Sequence, residues 1–348
     1  MRKVKKKKLN LSNKKFKKIY IKFEKTINKI VGNKNFAIGV SGGSDSLCLA
    51  YLSQVYSKKH KNKIHVLIVN HNLRKESASE ALVVKKILLG KKIKSTILNW
   101  KGRIPKKNIQ GNARNIRYSL IHKYCKKIRI NYLITAHHLD DQIENFFIRL
   151  LRGSGLTGLS SMSQKVSLND DLNIIRPFLE FKKIDLKNIT LEYFKKYIKD
   201  PSNDNDKFLR VRIRKYRSKM ESEGLDTSKI IKTINNLSSS HEAINFYKSK
   251  AVKKYVKFIK KNNCLISRDL FLNESGEIIF KLFSDILSLV SGSYYPPRSK
   301  KIIYLIKKLK TNEIIKLTLG GCIIESETNF ITIFKEPKVK KISVMPKK

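Results

Sequence analysis

The hexapeptide Ser41-Gly42-Gly43-Ser44-Asp45-Ser46 constrains this chain more than any other stretch. It joins a short apolar run, Phe36–Val40, to an amphipathic segment, Ser46–Ser57, so a buried strand must turn into a helix within a few residues. Two adjacent glycines let the backbone approach a ligand closely. Ser41, Ser44 and Ser46 add hydroxyl donors, and the N–H groups that open a helix form an anion site. Asp45 alone would repel a bound phosphate. A Mg2+ ion between carboxylate and phosphate removes that conflict. A simple serine-capped turn would need neither the second glycine nor the acid.

The same strand-then-helix rhythm continues. Ile64–Val69, Ser95–Trp100 and Tyr132–Thr135 read as buried strands of near-continuous apolar character. Ser77–Leu89, with a capping box Ser77-x-x-Glu80, then Gln110–Lys126 and His138–Leu151 read as the intervening helices. This alternation predicts an α/β fold, a doubly wound parallel sheet with helices on both faces. Ligands of such sheets bind beyond the carboxyl ends of the strands. Residues 41–46, 70–74 and 136–145 each follow a strand directly, so three segments converge on one rim. The expected division is a basic arm or first helix over 1–34, a nucleotide domain over 35–217, a mostly helical domain over 218–295 and a small α+β region over 296–348. The last contains a helix, Ser299–Lys310, and strand-like runs Ile314–Leu319 and Phe330–Phe334 around Gly320-Gly321.

Composition narrows the partner. With 76 Lys and Arg against 27 Asp and Glu, the net charge is +49, which points to a polyanion, either nucleic acid or an acidic membrane surface. Part of that charge is the lysine usage an A+T-rich genome would impose, since 61 of the 76 are Lys. No apolar run approaches the ~20 residues of a membrane span, and the basic start is followed by no signal-type apolar core. Cys48, Cys125, Cys264 and Cys322 lie far apart with no C-x-x-C, which excludes a zinc ribbon or vicinal redox pair and suits a reducing cytoplasm. Lysine is absent from residues 35–57, 108–122 and 131–164, the segments that carry the motifs, while arginine concentrates between 114 and 217. The charge is therefore a collar around the site rather than part of it.

Within the site, His137, Asp141 and Glu144 would share one helix face, with Asp140 one turn before Glu144. Carboxylates gathered at a strand end of so basic a chain read as a cation site, for an ammonium group or for Mg2+. For Asp140 and Asp141 the alternative is simple complementation of a helix dipole. His137-His138 lacks the further ligands zinc requires. Arg114 and Arg117 either meet phosphate or line a solvated face. The same choice holds for Arg210, Arg212, Arg214 and Arg217, with Lys215 and Tyr216, as an RNA-backbone strip. Phe146-Phe147 reads as core. Gly153-x-Gly155-x-x-Gly158 satisfies the dinucleotide pattern, but it follows a helix instead of a strand and reads as a C-cap and turn.

The hexapeptide resembles the pyrophosphate loop (PP-loop) of the N-type ATP pyrophosphatases; no G-x-x-x-x-G-K-S/T of a Walker loop occurs. Val69-Asn70-His71-Asn72-Leu73-Arg74 resembles the V-D-H-x-L-R stretch of the tRNA(Ile)-lysidine synthases. Gln110-Gly111-Asn112-Ala113-Arg114-Asn115-Ile116-Arg117-Tyr118 resembles their Q-x-x-A-R-x-x-R-Y helix. Thr135-Ala136-His137-His138-Leu139-Asp140-Asp141-Gln142-Ile143-Glu144 is similar to their T-A-H-H-x-D-D-Q-x-E-T, followed by the R-L-L-R-G-S-G of Arg149–Gly155. Arg176-Pro177 and Asp200-Pro201-Ser202-Asn203 follow in family order. Asn70 and Asn145 depart, standing where the family has Asp and Thr.

The resemblance covers residues 36 to about 217. It implies an adenine nucleotide alpha hydrolase-like fold and a ligase that uses ATP and Mg2+. The substrates it implies are L-lysine and C2 of the wobble cytidine in the CAU anticodon of tRNA(Ile), with AMP and pyrophosphate released. It also implies roles. Ser41, Gly42, Gly43, Ser44, Asp45, Ser46 and Arg117 would hold the nucleotide, with Asp45 as metal ligand. Arg114 would act at the α-phosphate, and His137, Asp141 and Glu144 would orient lysine. Residues 218–295 would grip tRNA in the cytoplasm, with no obligate protein partner. Two other readings stand beside it. A PP-loop thiolase would need a sulfur-handling cysteine near the site, with Cys48 and Cys125 as candidates. A catalytically silent RNA-binding protein would be expected to have lost Asp45 or a loop glycine, and neither is lost.

Overall fold

The computed structural model describes residues 14–72, 76–102, 109–160, 162–169, 171–199, 205–260, 262–293, 296–311 and 314–337. The chain divides into two compact units, Met1–Asn235 and Asn236–Lys348. The first opens with α1 (Lys14–Ile30), a lysine-rich helix that still carries an apolar stripe. Its Ile19, Tyr20, Phe23 and Ile27 are buried at the spacing of one helix face. The basic N-terminal segment is therefore, over these residues, a helix docked into the core.

Strands and helices then alternate as the sequence predicts: β1 (Phe36–Gly39), α2 (Ser44–His60), β2 (Ile64–Asn70), α3 (Ser77–Leu89), β3 (Ser95–Asn99), α4 (Ile109–Lys127), β4 (Tyr132–Ile134) and α5 (Leu139–Leu150). Ser77 is the first residue of α3 and its cap, Glu76, makes no side-chain cap hydrogen bond, so the expected capping box with Ser77 as cap does not form. After α5 come the one-turn α6 (Leu156–Leu159), a hairpin of β5 (Lys165–Asn169) and β6 (Leu172–Ile175), α7 (Lys183–Phe194) and α8 (Leu209–Ser222). The division between units falls within α9 (Thr227–Tyr255). Gly153, at φ +65°, ends the turn after α5, so the G-x-G-x-x-G segment is a cap and turn with no strand before it.

The sheet runs β3-β2-β1-β4-β6-β5. All neighbours are parallel except the edge hairpin, which no apolar run in the sequence announces. Side chains alternate across it. Phe36, Ile38, Val66, Ile68, Ile134 and Ile175 pack in one layer with α1, α2, α3 and α7. Ala37, Leu67, Leu133, Leu172 and Ile174 pack in the other, against Ile121 and Cys125 of α4. A smaller cluster joins Leu139 and Ile143 of α5 to Ile230 and Ile234 of α9, with Phe146 and Phe147 packed on it, so that pair is core. Because β1 pairs directly with β4, the loops that leave their carboxyl ends are neighbours, at the point where the strand order reverses.

The second unit adds β7 (Val256–Lys260), β8 (Asn263–Ser267), α10 (Asp269–Asn273), α11 (Gly276–Ser291), α12 (Ser299–Lys310), β9 (Lys316–Leu319), β10 (Cys322–Ser326) and β11 (Phe330–Lys335). They form an antiparallel sheet, β7-β8-β11-β10-β9, under α11 and α12. β8 pairs with β11, so one sheet crosses the boundary expected at 296 and the stretch read as helical supplies two strands. Cys264 and Ile266 bury toward α11 residues such as Leu282 and Phe283, whereas Phe258 and Ile259 on the edge strand stay largely exposed. Interleaved lysines hide that alternation. Among the described residues, no helix is long and apolar enough to cross a membrane.

Candidate active site

The hexapeptide loop is prebuilt by its own hydrogen bonds. The Ser46 hydroxyl accepts from Ser41 N–H at 3.2 Å and donates to the Gly43 carbonyl at 3.0 Å, and the Ser41 and Ser46 hydroxyls lie 3.3 Å apart. The Thr190 hydroxyl of α7 donates to the Ser44 carbonyl at 2.6 Å, and Ile198 N–H donates to the Gly42 carbonyl at 2.9 Å. The two glycines have different reasons to be there. Gly42 sits at φ +89°, and a Cβ on it would lie 2.5 Å from Val84 Cγ2. Gly43 caps α2 with φ −68°, and a Cβ there would meet nothing nearer than Ser41 Oγ at 3.8 Å. The protein's own packing therefore demands glycine at 42 but not at 43. Gly42→Ala is expected to cost about 1–3 kcal/mol in urea unfolding. Gly43→Ala should leave the unfolding midpoint in place and weaken ATP binding instead.

At the neighbouring rim, His138 is the N-cap of α5 and forms a reciprocal box with Asp141. Asp141 N–H donates to His138 Nδ1 at 3.4 Å, and His138 N–H donates to Asp141 Oδ2 at 3.1 Å. The helix thus begins at Leu139, and the helix face expected to hold His137 with Asp141 and Glu144 does not include His137. His137 sits before the cap, its Nδ1 2.9 Å from Thr135 Oγ1. It remains part of the site electrostatically. Burial pushes its pKa down to about 4, with Asp141 opposing and Arg176, Arg114 and Arg210 adding to the shift. His138 behaves oppositely: burial resists its charge, but Asp45, Asp141 and Asp140 carry its pKa above the ordinary value. Its Nε2 lies 3.6 Å from Asp45 Oδ2, which ties the hexapeptide loop to α5.

The acids of α5 are met by arginines of α8. Glu144, only 2% exposed, is held by Arg214 (Nε to Oε1, 2.5 Å; Nη2 to Oε2, 3.2 Å) and by Arg210 Nε at 2.8 Å. Arg210 also reaches Asp141 Oδ1 at 3.4 Å. Arg217 Nη1 bonds Asp140 Oδ1 at 2.8 Å, and Lys183 N–H bonds the other oxygen at 2.8 Å. The expected RNA strip is therefore split. Arg210, Arg214 and Arg217 engage α5, while Arg212, Lys215 and Tyr216 are exposed. Burial raises the Asp141 pKa, but His138 and Arg210 outweigh it and hold the carboxyl below its usual range.

On α4, Arg114 and Arg117 are both exposed. The Arg114 guanidinium lies 5.1 Å over the Tyr118 ring, and Arg117 Nη2 is 3.5 Å from His71 Nε2. Burial, then Arg117, pushes the His71 pKa down to about 4. Asn70 is buried and hydrogen-bonded at both ends of its amide: its Nδ2 donates to Asn99 Oδ1 at 3.1 Å and its Oδ1 accepts from Asn72 N–H at 3.0 Å. Those bonds need no charge, so the Asn in place of the family Asp is accommodated. Leu73, Arg74 and Asp200–Asn203 lie outside the described residues.

The histidines set a pH dependence whose sign follows from linkage. His71 and His137 are held neutral, so between pH 4 and 6.5 the unfolded chain binds more protons and stability falls as pH falls. His138 has the opposite sign and loses its contribution as pH rises above 6.5. The urea midpoint is expected to peak near pH 6.5 and to drop by pH 5. His71→Gln should flatten the acid side.

Among the described residues, no three His, Cys, Asp or Glu side chains are grouped to hold a metal ion. Asp45 offers a hard oxygen donor, its side chain 23% exposed at a helix start, with Oδ1 accepting from the Ser44 hydroxyl at 3.1 Å. One carboxylate plus substrate phosphates and waters is how Mg2+ is usually held. The donor set fits a cation that arrives with a nucleotide.

Comparison with known proteins places the chain in a family. The family model for the PP-loop domain matches residues 13–219. A tRNA(Ile)-lysidine synthase from Orientia tsutsugamushi (strain Boryong) is 36% identical over 311 residues, 87% of this chain and 70% of that protein. One from Wolbachia pipientis wMel is 34% identical over 317 residues, 90% of this chain and 73% of the relative. A U34-tRNA thiolase from Methanococcus maripaludis has a similar fold, with a TM-score of 0.55 at 20% identity over 65% of this chain and 80% of that one. Given a PP-loop match over more than half the chain and identity above 30% across most of each relative, the chain belongs to the tRNA(Ile)-lysidine synthase family.

Proposed function

We propose that the chain ligates L-lysine to C2 of the wobble cytidine in the CAU anticodon of tRNA(Ile), consuming ATP and releasing AMP and pyrophosphate. The observation that carries this is the approach of the hexapeptide loop to the N-terminus of α5 across the β1–β4 junction, His138 Nε2 to Asp45 Oδ2 at 3.6 Å, in a chain of this family. The cytidine O2 attacks the α-phosphorus of ATP and the bond to the β-phosphate oxygen breaks. The ε-amine of lysine then attacks C2, the C2–O2 bond breaks and AMP departs with that oxygen. The base must leave the anticodon stack to reach the rim.

The N–H groups at the start of α2 would cradle the departing pyrophosphate, with the exposed Ser41 beside them, while the buried Ser44 and Ser46 hydroxyls shape the loop by donating to Asp45 and to the Gly43 carbonyl. Asp45 would hold Mg2+, which when bound offsets charge on the phosphates. Arg114 and Arg117 balance charge at the α-phosphate. Asp141 and Glu144 orient the lysine ammonium with His137 beside them. Glu144 already serves two guanidiniums, so Asp141 is the carboxylate with capacity left for the ligand. All four cysteines are buried as free thiols, and burial pushes Cys48 up and Cys125 up to about 12. That disfavours a sulfur-transfer role and suits the reducing cytoplasm where tRNA is modified.

The test is purified protein with ATP, labelled lysine and a transcript bearing a CAU anticodon. Lysine is incorporated with equal AMP, and changing the wobble C to U abolishes it; incorporation that survives the change overturns the assignment. The charge of +49 predicts a salt signature. Raising KCl from about 50 to 200 mM should raise the KM for tRNA by roughly 10-fold or more and leave the KM for ATP nearly unmoved.

A further inference from the structure

We propose that His138 is the positioning residue for Asp45, its ring Nε2 standing against that carboxylate and limiting its orientations. The inference rests on the reading of Asp45 as the residue that meets the cation accompanying ATP. Adjacent histidines follow β4, and sequence alone favours neither. The structure separates them. His137 Nδ1 lies against Thr135 Oγ1, whereas His138 is 3% exposed and its backbone bridges to Phe178. Nδ1 of His138 accepts from Asp141 N–H, so in the neutral ring the proton belongs on Nε2. Nε2 lies 3.6 Å from Asp45 Oδ2 and 3.4 Å from Asp141 Oδ2.

Asp45 is thus faced from two sides: the Ser44 hydroxyl donates to Oδ1, and the His138 ring stands at ion-pair distance from Oδ2, between Asp45 and Asp141. A carboxylate has about four lone-pair sites, so both oxygens keep capacity for a cation while their directions are set. A donor behind a metal-binding carboxylate typically matters 10–100-fold in affinity or activity. The ring is held by the cap of α5, and α5 by the arginines of α8. The orientation of Asp45 is therefore coupled to the helix that carries Asp141 and Glu144.

His138 does two jobs that two substitutions separate, because the amide of Asn overlays Nδ1 and that of Gln overlays Nε2. His138→Asn keeps the helix cap and cannot reach Asp45; His138→Gln reaches Asp45 and gives up the cap. The readout is Mn2+ affinity of the full chain with a non-hydrolysable ATP analogue, without tRNA or lysine, by electron paramagnetic resonance, alongside the unliganded Tm. His138→Asn is expected to weaken Mn2+ by about 10-fold or more, with a smaller Tm loss than His138→Gln because the cap is kept. His138→Gln should recover most of that affinity at a lowered Tm. Wild-type Mn2+ affinity in His138→Asn, or no recovery in His138→Gln, overturns the proposal. Asp45→Ala separates the two levels. If it loses Mn2+ while His138→Asn does not, only the positioning role fails; if it binds Mn2+ normally, the metal reading of Asp45 fails first.

Discussion

Asp45→Asn is expected to lower tRNA-dependent AMP release by about 10³-fold, with the fall in kcat rather than in the KM for tRNA. The substitution is isosteric and keeps an oxygen for the Ser44 hydroxyl, so the loop geometry survives. What disappears is the negative charge that would hold a cation against the nucleotide phosphates. Several kcal/mol of charge stabilisation is the usual worth of such a cation, and about 4 kcal/mol corresponds to 10³ in rate. Thermal stability should fall only slightly. Asp45 is partly exposed and Asn keeps the Ser44 contact, so what is lost is the attraction between Asp45 and His138. Single-turnover AMP release together with a thermal melt separates the outcomes. An Asn variant that releases AMP within a few-fold of the wild type would remove Asp45 from the chemistry.

Glu144→Gln is expected to be the most destabilising change at the rim, by about 3–5 kcal/mol, the range for breaking one partner of a buried ion pair. Glu144 is buried and bonded to both Arg210 and Arg214, and the amide would leave two guanidiniums with one neutral acceptor between them. For a unit of this size that is a Tm loss of roughly 6–20 °C. The paired replacement Glu144→Leu with Arg214→Met, which removes charge from both sides, should recover much of it, because such pairs stabilise little relative to apolar packing of similar volume. It should not recover lysine incorporation. Urea unfolding of the single and double variants decides the matter: equal midpoints for wild type and Glu144→Gln would show that the network carries no stability.

Much of the first unit was legible because its signals are local. Runs such as Phe36–Val40 and Ile64–Val69 are apolar throughout since a central parallel strand is covered on both faces. The loop between Gly39 and Ser44 announces itself by residue types no ordinary turn requires. The β5–β6 hairpin and the strands β7 and β8 were not legible. Lys165–Asn169 and Val256–Lys260 are short edge strands, and edge strands carry the lysines that otherwise signal a solvated loop or helix. Pairing of β8 with β11, more than sixty residues later, leaves no local trace.

The same boundary runs through the site. Sequence by itself determined the rim: which segments follow strands, that a glycine-rich anion loop faces an acidic helix, and that lysine is kept out of both. Only the tertiary structure decided which side chains meet. Arg210, Arg214 and Arg217 have the spacing of any solvated helix face, and their partners Glu144 and Asp140 lie some seventy residues upstream. His137 and His138 are adjacent and chemically identical. The second caps α5 and faces Asp45 because the cap residue takes extended backbone angles, φ −125° and ψ −179°, and the helix starts after it. Periodicity and residue type act within a few residues, whereas charge pairing and ring orientation depend on where the parallel sheet brings distant segments together.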